Sequence, residues 1–189
     1  SNVLAAMATV LTLGVPVERV QQATGRLTPP PGRLERFGGA NGARVVVDYA
    51  HTADALANAL AALRPHVGGE LICVFGCGGD RDTGKRPDMA REAEKLADRV
   101  VVTDDNPRSE DPEAIAQDIL AGFPDSAKVT VIHDRAEAIQ SAIRSATPND
   151  LVLIAGKGHE AYQEIAGQKY PFSDAEQVRH ILKLNGGVA

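Results

Sequence analysis

The residues best equipped for chemistry fall in four short polar stretches, each placed after an apolar run. VFGCGGDRDTGKRP, from Val74 to Pro87, carries Gly79, four residues, then Gly84-Lys85. That is the G-x-x-x-x-G-K spacing of loops whose backbone cradles phosphates. Downstream, VVVTDD ending at Asp105 mimics the apolar strand and acidic pair that hold magnesium in such proteins. A working phosphate loop needs Ser or Thr straight after its lysine, and here Arg86 and then Pro87 stand there. The stretch reads better as a cationic loop, with Arg81, Lys85 and Arg86 on a glycine frame suited to an anionic group. The alternative is a solvated connection kept soluble by those charges.

The second stretch is Asp105-Asn106-Pro107-Arg108. Pro107 restricts Asn106 toward extended conformations and stiffens the bend. Arg108 then projects a planar fork able to grip a carboxylate, while Asp105 and Asn106 add acceptors and an amide. One loop thus offers groups for both ends of a zwitterion; equally, it could be an Asx-turn opening the next helix with Arg108 in solvent. The third stretch, GKGHE from Gly156 to Glu160, has two glycines that let backbone N–H groups approach an anion. Glu160 could accept from an ammonium, or the whole could be an ordinary strand-to-loop transition. In the fourth, DYAH, Asp48 could meet ribose hydroxyls and His51 a phosphate or base. Alternatively, Asp48 and Thr52 simply cap the following helix.

The elements that must position these groups alternate. Asn2 to Leu13 and Val17 to Thr24 read as helices, and LTPPPG, ending at Gly32, as an extended boundary. RLERF and ARVVVDYA flank the turn-rich GGANG and could pair as a hairpin. HTADALANALAAL puts Leu56, Ala59, Leu60 and Leu63 on one helical face. ELICVFG has the continuous apolar run of a strand covered on both faces. PDMAREAEKLA is a helix opening at Pro87, RVVVTDD a strand, and Asp111 the N-cap of a helix from Pro112. KVTVIHD, the capping-box helix DRAEAIQSAI with Asp134 and Glu137, and the strand DLVLIAGKG follow. QKYPFSD reads as a short edge strand because Pro171 removes a ladder donor, and SDAEQVRHILKL, boxed by Ser173 and Glu176, closes the chain as a helix. This alternation predicts a doubly wound, mostly parallel α/β sheet, whose ligands sit outside the carboxyl ends of the strands. All four polar stretches fall at such ends.

A net charge of −5 over 189 residues argues against a general binder of nucleic acid or membrane surfaces. The two cysteines, Cys73 and Cys77, are not spaced as C-x-x-C, and no second pair completes a zinc site; no metal ligand is expected. No apolar run is long enough to span a bilayer, no signal peptide is recognisable, and a cytoplasmic location is expected.

In order and spacing, PGRLE, VVVDYAHTADAL, VFGCGGDRDTGKRP, VTDDNPR and VLIAGKGHE resemble the Mur ligases, the ATP-dependent amino-acid-adding enzymes of peptidoglycan synthesis. The resemblance covers essentially the whole chain and is nearest to the branch that adds meso-diaminopimelate. It implies that residues 1–32 are the end of a central ATP-binding domain plus a proline-rich linker, and residues 33–189 a Rossmann-like C-terminal domain that receives the amino acid. It implies a phosphate loop upstream of Ser1, outside this chain, with ATP and Mg2+ as cofactors of the complete enzyme. Arg81, Asp105, Asn106, Pro107, Arg108, Gly156 and Glu160 match the family's contacts to meso-diaminopimelate. Arg33, Asp48 and, more weakly, His51 match positions facing the nucleotide. No catalytic residue is implied within the chain, whose part would be positioning. UDP-MurNAc-L-Ala-D-Glu would be engaged through other domains. Ala53 departs from the proline common after DYAHT in this family.

The chemistry of that substrate fits. Its distal end carries both a carboxylate and an ammonium; Arg81 and Arg108 would clamp the first and Glu160 the second. Lysine lacks the distal carboxylate, so Arg108 would have nothing to grip. Two other readings are a lysine-adding or folylpolyglutamate-type ligase domain, and a non-catalytic module that captures a diamino acid or nucleotide. Alone, the chain is expected not to turn ATP over, and residues 1 to about 30 to expose an apolar face.

Overall fold

In a computed structural model of the chain, described for residues 2–27, 30–38, 42–124 and 128–184, the apolar runs become strands and the periodic segments helices. The chain divides into two units, residues 1–30 and 31–189. In the first, α1 (Asn2–Thr12) and α2 (Val17–Thr24) are joined through Gly14 at φ 83°. Val3, Leu4, Leu11, Leu13, Val15, Val17 and Leu27 of this unit are exposed. Thr28 and Pro29 of the proline-rich stretch, and Gly39, Ala40 and Asn41 of the expected hairpin turn, lie outside the described residues.

The second unit is built on a six-stranded sheet in the order β1-β2-β6-β3-β4-β5. Its strands are β1 (Glu35–Phe37), β2 (Arg44–Asp48), β3 (Leu71–Phe75), β4 (Arg99–Val102), β5 (Val129–Val131) and β6 (Leu151–Ala155). β1 runs antiparallel to β2, completing the expected hairpin, and the other neighbours are parallel. The helices α3 (Ala53–Leu63), α4 (Lys85–Leu96) and α5 (Pro112–Leu120) pack with Leu71, Cys73 and Phe75 on one face. The helices α6 (Arg135–Ser145) and α7 (Asp174–Leu184) pack with Ile72 and Val74 on the other. Successive β3 side chains therefore enter opposite cores, which is why the run is apolar throughout. Leu56, Ala59, Leu60 and Leu63 are the buried face of α3.

Thr52, Asp111 and Asp134 cap α3, α5 and α6 by accepting from the amides of Ala55, Glu113 and Glu137. The helix expected to open at Pro87 begins two residues earlier, at Lys85, because Gly84 is already helical and Pro87 still lies within the first turn, where no amide is needed. QKYPFSD forms β8 (Gln168–Pro171), but pairs with an unforeseen β7 (Tyr162–Ile165) in a separate two-stranded ribbon rather than with the main sheet. Cys73 and Cys77 are free and buried, and burial pushes both thiols up to about 12. No helix among the described residues is long and apolar enough to cross a membrane.

Candidate functional site

β4 and β6 are separated by β3, so their loops can meet only across the end of β3. The glycines after β3 make that possible. A Cβ on Gly76 would lie 2.0 Å from the Thr103 carbonyl oxygen, and one on Gly79 would lie 1.9 Å from that of Pro107. The Gly79 amide donates to the Asn106 carbonyl at 2.9 Å. The loop after β4 therefore lies directly on the glycine loop.

Asn106 is buried and its amide is engaged at both ends. Its Oδ1 accepts from Lys157 Nζ at 2.9 Å and from the Glu164 amide at 2.9 Å, while Nδ2 donates to Glu160 Oε2 at 3.0 Å. Arg108 has φ 54°, a strained value for a non-glycine residue, fixed by the ribbon. Its amide donates to the Glu164 carbonyl at 3.0 Å, and its carbonyl accepts from the Ala166 amide at 2.7 Å. The guanidinium is 20% exposed; Nη1 donates to the Gly79 carbonyl at 2.7 Å and Nε faces Glu164 Oε2 at 3.3 Å. It is not in bulk water. Arg81 is exposed and reaches the same corner, since a Cβ on Gly78 would lie 2.9 Å from Arg108 Nη1 and 3.8 Å from Arg81 Cγ.

Glu160, 24% exposed, also accepts from Lys157 Nζ at 3.1 Å on Oε2. Burial alone would raise its carboxyl, but Asn106, Lys157 and Arg108 outweigh that and hold it below the usual range. It is ionised at neutral pH, and Oε1 has no hydrogen-bond partner among the described residues. Lys157 itself is fully buried, with Nζ 5.8 Å from the Tyr162 ring centroid. Reading the sequence missed it; a lysine inside a glycine-flanked strand end was the available signal. Asp105 faces inward. Burial raises its carboxyl, partly offset by Arg135 and Lys157. Gly156, at φ 120°, makes room for it: a Cβ there would meet Asp105 Oδ2 at 2.6 Å. The Gly156 amide donates to the Asp48 carbonyl at 3.1 Å, so it is not the open anion nest the glycines suggested.

Behind these groups, Arg135 grips Asp174 through Nε at 2.8 Å and Nη2 at 2.9 Å, both residues fully buried.

The cationic loop is corrected in part. Arg86 turns inward, only 1% exposed, to pair with Glu110 at 2.8 Å and Asp118 at 2.9 Å, and Lys85 donates to the His51 carbonyl at 3.0 Å. Backbone amides of Gly79, Asp80, Gly84 and Arg86 all donate within the protein. Four amides of this stretch and the Arg86 side chain are thus already taken up within the protein.

Arg33, Asp48 and His51 form a neighbouring cluster around Tyr49. The Arg33 guanidinium lies 4.7 Å from the Tyr49 ring centroid, His51 4.6 Å and His159 5.5 Å. Arg33 and His51 are exposed, whereas Asp48 Oδ2 accepts from the Leu34 amide at 2.8 Å and holds the PGRLE turn. A Cβ on Gly32 would sit 2.2 Å from the His159 amide nitrogen, which seats that turn on GKGHE.

Comparison with known proteins agrees with the fold. The family model described as "Mur ligase, glutamate ligase domain" matches residues 32–158. The UDP-N-acetylmuramoyl-L-alanyl-D-glutamate--2,6-diaminopimelate ligase of Pseudomonas aeruginosa is 55% identical over 96% of this chain and 37% of its own length. That of Pseudomonas putida is 53% identical over the same shares. A solved structure of an enzyme of that name superposes with a TM-score of 0.79 at 42% identity, covering 98% of this chain and 38% of that one. The Thermotoga maritima UDP-N-acetylmuramate-alanine ligase shares the fold, with a TM-score of 0.69 at 20% identity over 98% of this chain and 37% of its own. The chain thus spans little more than a third of the length of these relatives.

Proposed function

Because this chain belongs to the Mur ligase family, we propose that it supplies the amino-acid site of an ATP-dependent ligase that joins meso-diaminopimelate to the D-glutamate γ-carboxylate of UDP-MurNAc-L-Ala-D-Glu in peptidoglycan synthesis. The observation that carries this reading is the meeting, over the glycines after β3, of Arg108 and Glu160, each part-exposed and each with a hydrogen-bonding position unused among the described residues.

The distal head of the substrate carries one carboxylate and one ammonium. Arg108, assisted by Arg81, receives the carboxylate, and the Glu160 carboxylate receives the ammonium. Asp105, Asn106, Pro107 and Gly156 shape and hold the pocket. With the distal head fixed, the other amine is held toward the acceptor, and the contribution is orientation rather than proton transfer. ATP with Mg2+, when bound, supplies the phosphoryl group that activates the γ-carboxylate as an acyl phosphate. Arg33 and His51 would face the nucleotide, with Asp48 holding the turn that carries Arg33. The engaged amides of the Gly79–Arg86 loop support a phosphate loop lying outside this chain, and residues 1–30 would be the end of the domain that carries it. The reaction implies a cytoplasmic location.

Calorimetric titration of the full-length protein with meso-diaminopimelate and with L-lysine tests the reading. Preference for meso-diaminopimelate is expected; equal or tighter binding of lysine would overturn it.

A further inference from the structure

Three cations among the described residues are essentially fully buried: Arg86, Arg135 and Lys157. Arg86 pairs with Glu110 and Asp118, and Arg135 with Asp174, which are not among the groups offered to a ligand. Lys157 alone is bonded to the ligand-facing set itself, through Asn106 Oδ1 at 2.9 Å and Glu160 Oε2 at 3.1 Å. We propose that Lys157 is a positioning and specificity-determining residue: its fixed charge orients Glu160 toward an ammonium while cancelling the excess negative charge that would favour a bare amine over a zwitterionic head. The inference rests on the site being one for a diamino dicarboxylic acid.

The geometry pairs charges back to back. Glu160 faces the ligand with Oε1, while Oε2 takes both the Lys157 ammonium and the Asn106 amide. Arg108 meets Glu164 with Nε at 3.3 Å and the Gly79 carbonyl with Nη1, and its Nη2 has no hydrogen-bond partner among the described residues. Each ligand-facing charge therefore has an opposite protein charge beside it, and the two pairs together are neutral. A zwitterionic head is also neutral and satisfies both free positions. A lysine side-chain end brings one positive charge and nothing for Arg108, so a neutral site gives it little advantage. Without Lys157 the Glu160 carboxylate loses its buried counter-charge, which the exposed and solvent-screened Arg81 does not replace, and its attraction for any cation grows. Selectivity is a difference between two affinities, and a counter-charge can act on one more than the other. Asn106 is also involved, because its Oδ1 loses a donor and its amide is freer to turn.

The test uses the full-length protein, unsubstituted and as Lys157→Met and Lys157→Gln, the latter keeping a donor without the charge. Affinities for meso-diaminopimelate and L-lysine are measured by calorimetry, alongside thermal unfolding and the KM values for ATP and the UDP-linked substrate. Lys157→Met is expected to weaken meso-diaminopimelate by about tenfold or more, to weaken lysine less or strengthen it, and to leave the other two KM values unchanged. In a Glu160→Gln background, adding Lys157→Met should change the ratio little. An unsubstituted protein that ignores meso-diaminopimelate removes the ligand reading, and this inference with it. A selective protein whose selectivity survives Lys157→Met removes the inference alone. If neither variant folds, Lys157 serves the fold only and the proposal is overturned.

Discussion

The cluster around Arg108 and Glu160 and the cluster around Tyr49 share one edge of the sheet and are joined where the Gly156 amide meets the Asp48 carbonyl. They are held by different forces. In the first, Lys157, Asn106, Glu160, Arg108 and Glu164 bond to one another through side chains between 2.9 and 3.3 Å. In the second, Arg33, His51 and His159 gather about an aromatic ring, and Arg33 and His51 remain exposed. Charge-assisted bonds in a desolvated pocket fix direction and are costly to leave half-made, whereas ring contacts at a surface tolerate adjustment. The first cluster is thus fixed in direction by paired charges before any ligand arrives, whereas the second is held by ring packing at the surface.

The contrast can be broken most forcefully from behind. Arg135→Ala strands the fully buried Asp174 and should cost about 3–5 kcal/mol of stability in denaturant unfolding. A double replacement, Arg135→Met with Asp174→Leu, should cost much less; equal losses would show that the charge pair is not what matters. Next, Arg108→Ala should cost about 2 kcal/mol in meso-diaminopimelate affinity by calorimetry and leave lysine binding nearly unchanged, sharpening the claim that the first cluster recognises a carboxylate. A smaller effect is expected at the second cluster: Tyr49→Ala removes about 1 kcal/mol of ring contacts, raising the KM for ATP in the full-length protein without altering meso-diaminopimelate affinity. Tyr49→Phe should behave like the unsubstituted protein.

The smallest effect concerns pH. His133 lies between Asp104 Oδ1 at 2.8 Å and Glu113 Oε2 at 3.0 Å, just ahead of the Asp105–Arg108 loop. The hydrogen bond to Asp104 is the largest influence and, with Glu113, lifts the imidazole above its ordinary value of 6.5 against the effect of desolvation. A raised folded value means that the stabilisation is complete below 6.5 and is lost as pH rises through the lifted value. Because His133 is 40% exposed, solvent screening limits it to under about 1 kcal/mol. Burial raises the Asp104 carboxyl, and the imidazole beside it opposes that rise. His133→Gln should flatten the stability profile above 6.5; an unchanged slope would assign it elsewhere.

Period and punctuation made the main sheet legible. The alternating runs gave strands and helices in order, the Leu56–Leu63 face was buried as its spacing required, and Asp111 and Asp134 capped the helices they precede. The ribbon was only half legible. Its first strand, YQEI, has three polar or amphipathic residues in four, so no apolar alternation announced it; Ala166-Gly167, both at positive φ, was the turn signal available. The site residues were legible as types at strand ends, but their orientation was not. Arg81 and Arg86 stand five residues apart, yet Arg81 is exposed and Arg86, in the first turn of α4, is 1% exposed and paired with two carboxylates.

The order of strands and helices in the main sheet, though not the β7 strand, followed from the sequence, because hydrophobic period, caps and prolines act within a few residues of themselves. The sequence also determined that cations, carboxylates and glycines gather at the carboxyl ends of the strands. Only the tertiary structure decided that the loops after β4 and β6 meet over the glycines after β3, that Lys157 is drawn inside to face Glu160, and that Arg108 is turned by a ribbon 54 to 63 residues further along the chain. Those outcomes depend on strand order and on the balance between desolvation and pairing of distant charges, and neither is written in any local run of residues.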